Sequence, residues 1–198
     1  MRKEEIKRLI RVILGSAIMG LGISFTIWAS VGSDPMTVFW MGTAKQLSIS
    51  IGMANLLVCA IILLFVFFID RKQIHVGSLL NPLVIALVTD ILTNIQLSLD
   101  SYLLRCLLCI IGLIILAFGI ALYALADYGK GAYEALVFCI CDKFSIRVGV
   151  VRTTCDISFA ILGFLLGGVA SMGTILAIIF MGSGIQFFIK QLQIRQTA

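Results

Sequence analysis

Residues 29–52 read ASVGSDPMTVFWMGTAKQLSISIG, and residues 126–149 read ADYGKGAYEALVFCICDKFSIRVG. Each stretch follows a long apolar run. Each opens on a glycine-bearing turn, at 32–35 and 128–131, and continues as an apolar segment of about three helical turns. A membrane crossing takes about 20 apolar residues, so neither stretch spans a bilayer alone. The fold depends on why one chain builds so short an element twice.

The composition sets the setting. The 198 residues are 61% hydrophobic and only 13% charged, with mean hydropathy +1.12. Soluble domains carry about 25% charged residues. The chain therefore reads as a polytopic membrane protein, one membrane domain over 1–198 with no room for a separate soluble domain. The basic start MRKEEIKRLIR lacks a small-residue cleavage site, so it reads as the head of a retained first helix and not as a signal peptide.

Six apolar runs have spanning length: 12–31, 51–69, 76–97, 106–126, 148–169 and 171–189. With the N-terminus in the cytoplasm, the inner side holds Arg2, Lys3, Lys7, Arg8, Arg11, Arg71, Lys72, Lys130, Lys143, Arg147, Lys190 and Arg195. The outer side holds Lys45 and Arg105. This bias matches the positive-inside rule and predicts cytoplasmic termini. It also predicts that the two short stretches do not cross completely, because a crossing would flip every later basic loop.

A shift of 97 residues superposes the two stretches. Gly22, Ile23, Ala29, Gly32, Ser48, Ile49 and Gly52 fall on Gly119, Ile120, Ala126, Gly129, Ser145, Ile146 and Gly149, seven identities in the 31 positions from 22 to 52. Chance in this composition gives roughly two or three. One residue of slippage later, GSLL at Gly77 matches GTIL at Gly173. Each half is then a span, a short helix and two spans, repeat one over 8–98 and repeat two over 102–192. Three crossings are an odd number, so the second half enters upside down, the inverted-repeat plan of many secondary transporters. The loop at 70–75 is charged and its counterpart near 167–173 is not, as inversion requires. The expected fold is all-α: six transmembrane helices in two inverted three-helix repeats, each with a short broken or re-entrant helix. Irregular backbone at membrane depth is tolerated when buried in protein or lining a polar cavity, and its helix-end amides suit anionic groups. The alternative is a pair of amphipathic helices lying flat at the interface.

Ionisable groups inside spans cost on the order of 2.5–3.5 kcal/mol and usually face a partner or a cavity. Arg152 and Asp156 are four residues apart on the fifth span and share a face. Asp156 is expected about 12 Å into that helix, near the midplane, while Arg152 is shallow enough to snorkel or to form a fold-locking pair with Asp156 or Glu134. Glu134 follows the Gly129-Lys130-Gly131 turn and serves either as a first-turn helix cap or as a site carboxylate. Asp34-Pro35 reads as an N-cap with proline at N1. Asn55 occupies the position matched to Arg152. Asn81-Pro82 is expected to break the third span, and Asp90, deep in that span, has Gln186 as its approximate partner. Asp34, Asn55, Asp90, Lys130, Glu134, Arg152 and Asp156 are the candidate substrate-binding residues. Their acids outnumber their bases, which favours a cationic or zwitterionic solute, or a coupling proton. Gly163, Gly167, Gly168, Gly173, Gly182 and Gly184 are expected to let helices pack closely.

Catalytic motifs are missing. His75 is the only histidine, so no HExxH or Ser–His–Asp set forms, and no P-loop is present. No enzymatic activity, no metal and no cofactor is expected. Cys106-x-x-Cys109 and Cys139-x-Cys141 lack a completing pair, so the six cysteines read as buried thiols. No basic and aromatic patch for nucleic acid exists. A homodimer is left open.

The segments GLGISFTIWASVGSDPMTVF, SISIG and GSLLNPLVIALVTDIL, then FGIALYALADYGKGAYEAL, VGVVRTTCDISFAILGFLLGG and MGTILAIIFMGSGIQFF, resemble the YczE-like (YczE/YitT-type) bacterial integral membrane proteins across nearly the whole chain. That pattern has a Gly-x-x-Pro turn after the first span, a Gly-x-Gly-Pro-like turn after the fourth, an arginine in the fifth span and a Gly-Gly…Gly-Thr link before the sixth. Ala132 stands here where the second turn often has proline. The resemblance implies a multi-pass protein of the bacterial cytoplasmic membrane and supplies no substrate. The resulting expectation is a small secondary transporter or exporter with a midplane site, partnered by a small solute and the bilayer. The alternatives are a substrate-binding membrane subunit of a vitamin-type importer and a non-transporting scaffold.

Overall fold

The computed structural model describes residues 3–95, 97 and 99–197, with side chains as far as Ile194. Arg2, Ser98 at the end of the first repeat and the Arg195 side chain lie outside the described residues. The described residues form eight α-helices and no strand: α1 Lys3–Ala29, α2 Pro35–Leu47, α3 Ile51–Ile69, α4 Val76–Thr93, α5 Tyr102–Ala124, α6 Ala132–Phe144, α7 Val148–Leu165 and α8 Met172–Thr197. All but α2 and α6 are long and apolar enough to cross a membrane. An α-helix satisfies its backbone polar groups internally, which hydrocarbon demands.

The two short helices form by local rules. Asp34 caps α2 by accepting from the Thr37 amide at 3.2 Å, and Pro35 takes the first helical position. Gly131 precedes α6, which forms without a proline at Ala132 and without a side-chain cap. Each helix stops on a left-handed serine, Ser48 at φ 53° and Ser145 at φ 55°. Both are 13 residues long, about 20 Å. Pro82 does not break the third span. It lies in the second turn of a continuous α4, and its carbonyl accepts from Asn55 Nδ2 at 3.0 Å.

The centre of the bundle is an antiparallel α1–α5 pair. Gly15 approaches Gly119 and Tyr123, while Gly22 approaches Gly112 and Leu116. A Cβ on Gly22 would stand 2.6 Å from the Leu116 nitrogen, so the backbones touch where side chains would otherwise hold them apart. Helix α4 packs on α1, α8 on α5, α2 on α7 and α6 on α3. The chain turns after α1 and α5 share a geometry. Gly32 and Gly129 sit at φ +100° and +118°. Val31 carbonyl accepts from Gly173 N at 2.8 Å, and Tyr128 carbonyl accepts from Gly77 N at 2.9 Å.

The expected glycine packing holds in part. Gly163 lies against the backbone of Val38 and Phe39, and Gly173 against the Gly32 carbonyl. Gly182 has open space around it, because α7 and α8 diverge there. All six cysteines are free, with Cys106 and Cys155 half-buried and the others buried.

Candidate functional site

The N-terminal ends of α2 and α6 meet at one central cavity of about 70 Å³. Pro35 and Met36 reach it from α2, and Ala132, Tyr133 and Glu134 from α6. The spanning helices contribute residues from their middle turns: Met19 and Ile23 from α1, Cys59 from α3, Ile85 from α4, Leu116 and Ile120 from α5, and Asp156 from α7. Helix N-termini carry partial positive charge and unsatisfied amides, so two of them meeting at one mostly apolar interior space add a polar edge to it.

Of the candidates, Asp34, Asn55, Glu134, Arg152 and Asp156 line this cavity. Asp34 is held by the Thr37 amide and by Ser33 Oγ at 3.3 Å. Asn55 is 1% exposed and bridges the Pro82 carbonyl and Cys59 Sγ. Asp156 accepts a short hydrogen bond from Tyr133 Oη, which also reaches the Arg152 carbonyl at 3.2 Å. Arg152 pairs with neither Asp156 nor Glu134. Its guanidinium carbon lies 5.5 Å from the centre of the Tyr133 ring, and the ion pair among the described residues is Lys7–Glu4 at 2.9 Å. The tyrosine hydroxyl therefore takes the carboxylate that was one of the partners open to the arginine.

Asp90 and Lys130 lie elsewhere. Asp90 accepts from Ser50 Oγ at 2.6 Å and from Gly52 N at 2.8 Å, so it caps α3 across the α3–α4 seam. Lys130 lies over the Phe138 ring at 3.6 Å. It lines a wider hollow of about 690 Å³ at the end of the bundle that carries the α1 N-terminus. Arg8, Lys72 and His75 line this hollow too, and it shares Ile120 and Glu134 with the central cavity. Glu134 thus stands between the two spaces.

The opposite end is sealed. Ser33 Oγ and Thr26 Oγ1 are 2.6 Å apart, Thr174 Oγ1 accepts from Ser33 N at 3.3 Å, and all three residues are buried. Arg105 closes the end of α1 by donating to the Ala29 and Ser30 carbonyls at 2.7 and 2.9 Å.

Sequence reasoning overlooked Tyr133, Trp40 and Asn81. Tyr133 adjoins Glu134 in the first turn of α6, and its signal was that placement beside a candidate acid. Trp40 follows the α2 turn by one helical turn. Asn81, read only as a helix breaker, lines the cavity and donates to Ser16 Oγ at 2.9 Å.

Residues 6–190 match the model of a family of unknown function, DUF6198. An uncharacterized protein of Haemophilus influenzae is 36% identical over 180 residues, covering 90% of this chain and 82% of its own length. The uncharacterized membrane protein YczE of Bacillus subtilis is 25% identical over 192 residues, covering 96% of this chain and 89% of its own. The uncharacterized protein YyaS of the same organism is 25% identical over 186 residues. No solved structure matches the chain. Six apolar helices and a full-length match to a named membrane protein agree with the resemblance read from the sequence, and the chain belongs to the DUF6198 family of YczE-like membrane proteins.

Proposed function

We propose that the protein is a small secondary transporter or exporter of a cationic or zwitterionic solute. It sits in the bacterial cytoplasmic membrane with both termini in the cytoplasm. Its two halves are oppositely inserted and alternate access to the central cavity. The observation that carries the reading is the meeting of two half-length helices, N-terminus to N-terminus, at a charged cavity level with the middle of the spans. That cavity borders a hollow at one end and is sealed at the other. With the positive-inside orientation, the hollow faces the cytoplasm.

Inversion draws support from contacts that exchange under the 97-residue shift. The Gly15–Gly119 approach becomes Gly112–Gly22. The Val31–Gly173 bond becomes Tyr128–Gly77, with the one-residue slippage already noted. Arg105 on the Ser30 carbonyl becomes Arg8 on the Asp127 carbonyl, at 3.1 Å. Broken helices at a repeat interface are the common transporter solution for binding a polar solute at membrane depth, and α2 and α6 enter from opposite ends as re-entrant elements.

Proteoliposome flux tests the reading. Gradient-driven solute movement is expected, with Glu134→Gln and Asp156→Asn each lowering the rate at least about tenfold, as loss of a buried charge partner does. Unchanged flux in both variants removes the cavity from the mechanism. A second reading is the membrane subunit of a larger importer. The sparse cover of α7 favours it, since Val151 and Gly163 are its buried residues against eight in α3. Copurification of an energising partner, with binding but no flux by the protein alone, would select that reading.

A further inference from the structure

Two residues that line the central cavity carry donors without a hydrogen-bond acceptor among the described residues. Trp40 is 6% exposed and lines the cavity, yet its indole Nε1–H has no acceptor. Buried N–H groups without partners are rare, so this donor is a candidate to meet a ligand group. Arg152 lines the same space without an ion pair. The acceptors are divided differently. Tyr133 engages Asp156, and the Thr37 amide and Ser33 hydroxyl engage Asp34. Glu134 accepts no hydrogen bond among the described residues and faces both the cavity and the hollow.

We propose that the cavity binds a small zwitterion, its carboxylate taken by Trp40 Nε1–H and the Arg152 guanidinium and its ammonium by Glu134. The proposal rests on the transport reading and narrows it. A simple cation leaves both donors empty, and an unmade buried hydrogen bond is expensive. A multiply charged anion meets three carboxylates, Asp34, Glu134 and Asp156, against one guanidinium. A neutral apolar solute satisfies neither set. The cavity volume of about 70 Å³ is well below the roughly 300–1,000 Å³ of pockets for drug-sized ligands, so the fit favours the smallest members of the class.

Matched pairs test this: glycine against ethanolamine, and glycine betaine against choline, each differing by a carboxylate replaced with an alcohol, with acetate as the ammonium-free control. Trp28 and Trp40 are the two tryptophans, so Trp28→Phe leaves Trp40 as a single fluorescent reporter. Calorimetry on the unaltered full chain in nanodiscs gives the same affinities if that variant folds poorly. At least one zwitterion is expected to bind about ten- to hundredfold more tightly than its alcohol partner, the range set by leaving a buried donor unpaired, and to shift Trp40 emission. Trp40→Phe and Arg152→Gln are expected to narrow that ratio while leaving the alcohol's affinity within about threefold, the lost discrimination tracking the lost donors. Equal binding of both partners, a preference for the alcohol, a ratio untouched by Trp40→Phe, or binding of none of the panel each overturns the proposal. If choline or ethanolamine crosses proteoliposomes without any zwitterion preference, this inference fails and the transport reading survives. If no solute of any charge class crosses, the transport reading fails as well.

Discussion

The α3–α4 seam and the α7–α8 seam fall on each other under the 97-residue shift, with its one-residue slippage, and differ in state. At the first, a Cβ on Gly52 would stand 2.6 Å from the Ala86 carbonyl, and Asp90 ties Ser50 and the Gly52 amide to α4. At the second, a Cβ added to Gly149 or Gly182, which correspond to Gly52 and Ala86, would meet no atom of another element within 4 Å among the described residues. Gln186, which corresponds to Asp90, is exposed, and α7 begins without a side-chain cap. A carboxylate at a helix N-terminus gains from both the orphan amides and the macrodipole. An amide side chain gains only the hydrogen bond, and Arg147 in place of Ser50 removes the hydroxyl donor. The difference teaches that one half carries a chemical lock and the other carries the same frame without it.

Substitutions sharpen that contrast, beginning with the largest effect. Gly52→Val drives a branched side chain into the Ala86 backbone and is expected to destabilise by about 1–3 kcal/mol. Gly149→Val is expected to stay within about 0.5 kcal/mol. Unfolding midpoints in detergent measure both, and equal losses would mean that the α7–α8 seam is closed in solution. Asp90→Ala removes the α3 cap and is expected to cost about 1–2 kcal/mol, while Gln186→Ala is expected to be silent in the same assay.

The arginines that cap the α1 and α5 ends give a smaller contrast. Arg105 makes two bonds to carbonyls, one of them part-buried, where Arg8 makes one at the surface. Arg105→Ala is expected to cost about 1 kcal/mol and Arg8→Ala less than half of that. The smallest effect lies in the loops. The Gln73 side chain and the Lys72 amide hold the Asp70 carboxyl below its usual value. A lowered folded-state value means that this loop's stability is present above the ordinary carboxylate range and is lost as pH falls through the lowered value. The matching loop at 166–171 has no titratable group. Protection against hydrogen exchange, corrected for the intrinsic pH dependence of the amide rate, is therefore expected to fall at 70–75 on acidification and to stay level at 166–171.

Much of the fold was legible in the sequence. Long uncharged runs cannot do otherwise in lipid than form helices, and the Gly32 and Gly129 turns declare themselves because few residues accept positive φ. Of the six residues expected to share a polar cavity, Asp34, Asn55, Glu134, Arg152 and Asp156 line one and Asp90 does not. What escaped depended on side-chain geometry across helices. No spacing announces that Asp90 reaches back to Gly52, that Tyr133 intercepts Asp156 before Arg152 does, or that Pro82 sits early enough in α4 for the helix to run on past it. Gly182 escaped for a related reason: a glycine permits close packing but does not enforce it, and α7 never comes near.

The α1–α5 crossing joins the two halves where Gly15 meets Gly119 and Gly22 meets Gly112. Main chain slides over main chain there, with no interlocking side chains to ratchet past. On the transport reading proposed above, such a joint is a smooth pivot, and a bulky residue placed in it is expected to brake the rocking and slow turnover well before it changes what the cavity holds.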